Sequence, residues 1–198
     1  MAQTPGSGYQ VQEGDLLFQD LDCGPFCTAI EAVTEGRDGQ DFSHIGMVVK
    51  DNEDVLVLEA VSAGVVLTPL DTFLHRHTVD NGKPAVWAGR IRLPKYVVRK
   101  AVARAKTHLG KPYDQAFGLD NGRYYCSELI RDAYRKAHGE YLFDLAPMTF
   151  KDPATGNYFP EWVGYFQKLG KPIPQGAPGI NPGLISRNRR VEIVYKFF

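Results

Sequence analysis

The stretch Arg123-Tyr-Tyr-Cys126-Ser-Glu-Leu-Ile-Arg-Asp-Ala-Tyr134 puts a cysteine at the head of an amphipathic helix. Leu129, Ile130, Ala133 and Tyr134 share one face, with Arg131, Asp132 and Arg135 on the other. Lying three and four residues before Leu129 and Ile130, Cys126 is on the inward face of the first turn. A helix start offers unbonded N–H groups and the positive end of the peptide dipoles, which favour a thiolate. The position suits a nucleophile. It suits a packed thiol as well, since free cysteines are among the most buried side chains. Glu128, two steps along the helix, is placed on the far side.

A cysteine nucleophile needs a base, and the base needs a group that holds its ring. The strands Ser43 to Lys50 and Glu53 to Val61 are separated only by Asp51-Asn52, a pair that tolerates positive φ and forms turns. A two-residue turn there sets Lys50 opposite Glu53 and His44 opposite Glu59, with Cβ atoms ~4.5–5.5 Å apart. A four-residue loop keeps this register, whereas a three-residue loop throws the two side chains onto opposite faces. Glu59 lies in Val55-Leu-Val-Leu-Glu-Ala-Val61, where an unpaired carboxylate is costly. It therefore needs a partner, and the hairpin supplies His44. A pair of this kind also serves simply to fix strand register.

The elements that must position these residues read as α+β with a mostly antiparallel sheet. Gly14-Asp15-Leu16-Leu17-Phe18 runs from a turn into a strand, and Asp15 reads as a turn residue. A helix starts at Pro25 and carries apolar residues to Val33 before Gly36. Further strands are expected at Val65 to Thr68, Ala85 to Leu93 and Val191 to Phe198, with a helix from Lys95 to Leu109 stopped by Gly110. Gly139 stops the helix headed by Cys126, and the Pro/Gly-rich run from Lys171 to Gly183 reads as a long surface loop.

The 198 residues suit one domain, 1–198, with a polar, flexible start over 1–12. With 23 Lys+Arg against 23 Asp+Glu, nothing directs the chain to nucleic acid or an anionic membrane. No apolar run approaches the ~18 residues of a spanning helix. Three cysteines make an odd count without a disulfide framework. Cys23 and Cys27 lack a second ligand pair, so Cys27 is expected to pack on the first helix. His75-Arg76-His77 lacks neighbouring ligands and reads as loop or helix surface, and Ser186 to Arg190 as solvated surface. No metal or cofactor is expected.

Taken in order, Gly14-Asp15-Leu16, Ser43-His44-Ile45-Gly46, Leu58-Glu59-Ala60, Gly110-Lys111-Pro112-Tyr113-Asp114 and Tyr125-Cys126-Ser127-Glu128 form a pattern. It resembles the circularly permuted papain-like amidases of the NlpC superfamily, the YiiX/YaeF-like branch, over about residues 13 to 140. In unpermuted relatives the cysteine helix comes first. The resemblance implies a permuted papain-like fold, its sheet or small barrel packed against the cysteine helix. It also implies Cys126 as nucleophile, His44 as base and Glu59 as the residue that orients the base. Tyr113 is the implied oxyanion donor or substrate contact, with Tyr124 and Tyr125 as alternatives.

The implied reaction is hydrolysis of a peptide or isopeptide amide through a thioester, with bacterial cell-wall (murein) peptides as the substrate class. Two other readings stay open: a lipid-directed acyltransferase or thioesterase using the same Cys/His pair, and a binding module without catalysis. Removal of a leader would place the protein in the periplasm or cell envelope; otherwise it is cytoplasmic. Residues 141–182 carry no motif of the family, and their aromatics either line a cleft or pack.

Overall fold

The computed structural model describes residues 9–22, 24–79, 82–138 and 140–198. The expected helix stop at Gly139, Cys23 and residues 1–8 of the polar start lie outside them. In chain order the elements are β1 (Leu16–Gln19), α1 (Pro25–Glu31), β2 (His44–Asp51), β3 (Asp54–Val61), β4 (Gly64–Pro69), α2 (Leu70–Leu74), β5 (Thr78–Val79) and β6 (Lys83–Pro84). There follow β7 (Val86–Ile91), α3 (Lys95–Lys106), α4 (Cys126–His138), β8 (Ala146–Pro147), α5 (Pro160–Leu169), β9 (Pro178–Gly179), α6 (Pro182–Ser186) and β10 (Val191–Lys196).

Six strands form one sheet in the order β10-β7-β1-β2-β3-β4, and every pair in it is antiparallel. The expected antiparallel sheet is therefore present, and β4 and β10 are its open edges rather than the seam of a barrel. Alternation along the strands sends Leu16, Phe18, Met47, Val49, Leu58 and Ala60 to the face covered by α3 and α4, where Ala101, Ala105, Leu129, Ile130 and Ala133 meet them. Leu17, Val48, Val57 and Val86 point to the other face, under Phe73 and Leu74 of α2. Each large side chain so buried contributes roughly 1.5–3 kcal/mol.

The turn into β1 is held by more than its own chemistry. Asp15 is buried, takes both Nε and Nη2 of Arg90 at 2.8 Å, and accepts from Tyr9 Oη at 3.1 Å. Gly14 adopts φ +83°, and a Cβ there would collide with Val98 of α3. The start of β1 is thus fitted against α3 at Gly14 and tied to β7 through Asp15 and Arg90.

The β2–β3 hairpin differs from the sequence expectation in register. Asp51 pairs with Asp54 and Met47 with Leu58, so the turn is Asn52-Glu53, one residue later than expected. Asn52 takes the left-handed conformation at φ 52°. Glu59 then sits diagonal to His44 rather than directly opposite. The slip is two residues, which preserves the face because side chains alternate with a period of two.

Elsewhere the sequence reading missed α2 and α5, and α1 stops short of Val33. Residues 171–183 are not simply surface: Gly179, Ile180, Pro182 and Gly183 are buried, and β9 pairs with β8. Cys27 is buried but disulfide-bonded rather than a free packing thiol.

Candidate active site

His44 opens β2, and its ring is almost fully buried, tilted against Phe73 with ring centroids 5.9 Å apart. Its Nε2 hydrogen-bonds Glu59 Oε2 at 2.6 Å. Cys126 is the other polar neighbour that acts on the ring, and Nδ1 is the ring nitrogen that Glu59 leaves free. Burial alone would lower the pKa of His44, but the hydrogen bonds to Cys126 and Glu59 outweigh it and raise the value to about 9.

Gly46, two residues along the same face, leaves room for Val57 and Phe73. A Cβ at position 46 would collide with Val57 Cγ1 and come 3.1 Å from Phe73 Cε2. Gly46→Ala is expected to destabilise the chain by about 1–3 kcal/mol through overpacking, read as a lowered urea midpoint; an unchanged midpoint would show that the Phe73 side gives way freely.

Glu59 has no exposed surface, and every oxygen position is used. Oε2 accepts from His44 and from Arg76 Nη1 at 2.8 Å, while Oε1 accepts from Arg76 Nη2 at 2.6 Å and Thr68 Oγ1 at 2.5 Å. Thr68 reaches it from β4, where Val66 is the residue directly opposite. Arg76 follows α2, whose buried Leu70, Phe73 and Leu74 dock that helix on the sheet and turn the chain back over Glu59. Burial would raise the carboxyl pKa, but these donors, Arg76 first, hold it at about 2.

Cys126 is the first residue of α4, is 8% exposed and is the free cysteine among the described residues. Its surroundings are pinned to the segment that follows β9: Ser127 Oγ donates to Ile180 O at 2.9 Å, and Ile180 N–H donates to Tyr125 Oη at 3.2 Å. Glu128 is not on an outer side as its spacing suggested. It is buried and accepts from the backbone N–H groups of Asp120, at 3.2 Å, and of Tyr125. Glu128 thereby caps the helix start behind the cysteine, and burial lifts its pKa to about 8 against those two donors.

The three tyrosines separate. Tyr124 packs on His108, with ring centroids 4.4 Å apart, and is not part of the cavity wall. Tyr125 lines the cavity with its hydroxyl already bonded to Ile180. Tyr113 lines it with no hydrogen bond to its hydroxyl among the described residues. Burial, then the nearby Cys126, pushes the Tyr113 pKa well up, so it stays a proton donor. His75, by contrast, bonds Asp71 on an exposed face, and no three His, Cys, Asp or Glu side chains among the described residues are grouped to hold a metal ion.

His44, Arg76, Tyr113 and Cys126 open onto a cavity of about 760 Å³. The rest of its wall is largely apolar: Phe26, Ile30 and Val33 from α1 onward, Phe117, Met148 and Phe150, and Trp162 and Tyr165 of α5. Trp162 is wedged among Phe26 and Phe150, at centroid distances of 4.7 and 4.9 Å. The aromatics of 141–182 therefore do both things foreseen for them: Phe150, Trp162 and Tyr165 line the cavity, and Phe166 packs beneath it. Sequence reading missed Arg76 and Thr68, yet one signal was present. A buried carboxylate needs a cation, and Arg76 stands between β4 and β7 inside a His-x-His run weighed only for metal.

An antiparallel sheet carrying His and then Glu, with the cysteine on a later helix, defines the papain-like class in permuted chain order. The chain belongs to the YaeF/YiiX family of permuted papain-like amidase enzymes, whose model matches residues 10–195. That match runs through 141–182, where the sequence shows no recognisable motif. The uncharacterized protein YiiX of Escherichia coli (strain K12) is 34% identical over 139 residues, covering 70% of this chain and 65% of that protein. The match thus spans about two thirds of the relative's length. The crystal structure of metalloprotein yiiX from Escherichia coli O157:H7 superposes with a TM-score of 0.76 at 29% identity, covering 95% of this chain and 98% of that one.

Proposed function

We propose that this chain is a cysteine hydrolase that cleaves an amide bond through a thioester on Cys126. The observation that supports it is the buried His44 ring, bonded at Nε2 by Glu59 and adjoining Cys126, with Nδ1 left free of Glu59. His44 Nδ1 takes the thiol proton, and the thiolate attacks the carbonyl carbon. The oxyanion is met by N–H groups at the start of α4, which have no partner within the helix, and by the Tyr113 hydroxyl. His44 returns the proton to the leaving amine. Water, deprotonated by His44, then attacks the thioester, releasing the acid and the thiol. The solved relative is described as a metalloprotein; among the described residues no three His, Cys, Asp or Glu side chains are grouped to hold a metal ion, and no step here runs through a metal.

Two substrate classes are in play. Cell-wall peptides follow from the family resemblance, and carry carboxylates and amines that need charged partners when buried. Among the described residues of the cavity wall the charged side chains are those of His44 and Arg76, and both already serve Glu59. The apolar lining favours the second class, an amide or thioester whose acyl half is a long apolar chain. Incubating wild type and Cys126→Ser with murein peptides and with N-acyl amides of increasing chain length, followed by mass spectrometry, separates them. Products that depend on Cys126 are expected from the longer acyl amides. If only the peptides are cleaved, the cell-wall reading stands; if neither is, the hydrolase proposal fails and a binding module remains.

A further inference from the structure

The grip of Arg76 on Glu59 has the form of a fork: two guanidinium nitrogens meet two carboxylate oxygens at 2.6 and 2.8 Å, beneath a side chain only 29% exposed. The guanidinium carbon also lies 5.3 Å over the Phe73 ring, the ring that backs His44. Resting on the Cys126/His44/Glu59 reading, we propose that Arg76 is a positioning residue that keeps the mobile proton of His44 on the Cys126 side of the ring.

The argument is one of counting protons. As a carboxylate, Glu59 only accepts, so His44 Nε2 must carry a hydrogen, and Nδ1 is the nitrogen free to take and return the thiol proton. As a neutral acid, Glu59 would present an O–H. Donated to Nε2, that O–H leaves the neutral ring with its own hydrogen on Nδ1, unable to accept from Cys126. A carboxyl with no exposed surface favours that neutral form on its own. Arg76 removes the option, because its two donors and full charge are satisfied only by the carboxylate. Thr68 adds a neutral donor to Oε1. Among the described residues, the titratable and charged groups facing Glu59 and His44 are Arg76, each other and Cys126.

The test needs no substrate. Cys126 alkylation by iodoacetamide is followed from pH 4 to 9 under non-reducing conditions in wild type, Arg76→Gln and Arg76→Lys. In Arg76→Gln the acid limb is expected to move up by at least about one pH unit, giving roughly tenfold slower labelling near pH 5 and convergence with wild type at higher pH. Arg76→Lys keeps the charge and is expected to restore most of the difference. A merely structural role would scale the rate at every pH without moving the limb, and superimposable or parallel profiles for Arg76→Gln overturn the proposal. Should Arg76→Gln not fold, Thr68→Val is read instead, with a smaller shift of the same sign expected and no shift overturning it. A wild-type rate that His44→Ala leaves unchanged would instead sink the underlying site reading, so the two failures are distinct.

Discussion

Cys126→Ala is expected to lower amide hydrolysis by ~10⁴-fold or more, and His44→Ala to lower it by about 10²–10⁴-fold, with both proteins folded. On the proposed mechanism, the first change removes the atom that bonds to the carbonyl carbon. The second leaves the thiol in place but takes away the group proposed to accept its proton and return it to the leaving amine. Stability should barely move at Cys126, whose side chain is small and sits at the cavity edge. Intact mass under non-reducing conditions gives the direct check. An acyl adduct on wild type, its absence from Cys126→Ala, and slow iodoacetamide labelling of His44→Ala are the expected set. Because Cys27 is disulfide-bonded and Cys126 is the free cysteine among the described residues, a labelled thiol is assignable. His44→Ala labelling at the wild-type rate would show that the thiol does not rely on the imidazole.

The largest loss of stability is expected at Glu59. Glu59→Ala strips Arg76 and His44 of their shared partner, and removing one side of a buried ion pair costs about 3–5 kcal/mol. For a chain of this length that corresponds to a Tm lower by roughly 6–20 °C. The pH dependence follows from the two shifted groups. Glu59 is held at about 2 against an ordinary 4.5, so its contribution is complete above 4.5 and is lost as pH falls toward 2. His44 is raised to about 9 from 6.5, so its contribution is complete below 6.5 and is lost as pH rises through 9. Wild type should therefore gain most from these groups between pH 4.5 and 6.5, and Glu59→Ala should abolish the acid limb and weaken the alkaline one, which Cys126 also holds. Urea midpoints measured from pH 3 to 9.5 test this; a mutant profile parallel to wild type would mean the pair adds nothing to the pH dependence.

Much of the site was legible before any coordinates, though not always for the right local reason. The hairpin argument chose the wrong turn, yet His44 and Glu59 still meet at 2.6 Å, because a two-residue slip returns every side chain to its original face. A one-residue error would have destroyed the inference. The position of Cys126 at a helix head was readable from the spacing of Leu129, Ile130 and Ala133. Glu128 was misjudged because helical spacing describes only a helix's own faces, and the neighbour that buries Glu128 is the loop carrying Asp120. Residues 171–183 misled in the same way: proline and glycine signal irregular backbone, and irregular backbone can still be buried where side chains such as Tyr125 and Ser127 satisfy it.

By itself the sequence determined what local periodicity and a costly buried charge can dictate: the antiparallel strands, the helix headed by Cys126, and the demand of Glu59 for a partner. Three things waited for the tertiary structure. Arg76 answers that demand only because the unpredicted α2 turns it back over the sheet. Tyr113 differs from the other two because it lines the cavity near Cys126 with its hydroxyl uncommitted, whereas Tyr125 bonds Ile180 and Tyr124 lies off the cavity wall. The apolar chamber assembles from α1, residues 146–150 and α5, whose contacts are distant along the chain. Each depends on which surfaces meet, and no single segment's pattern encodes that.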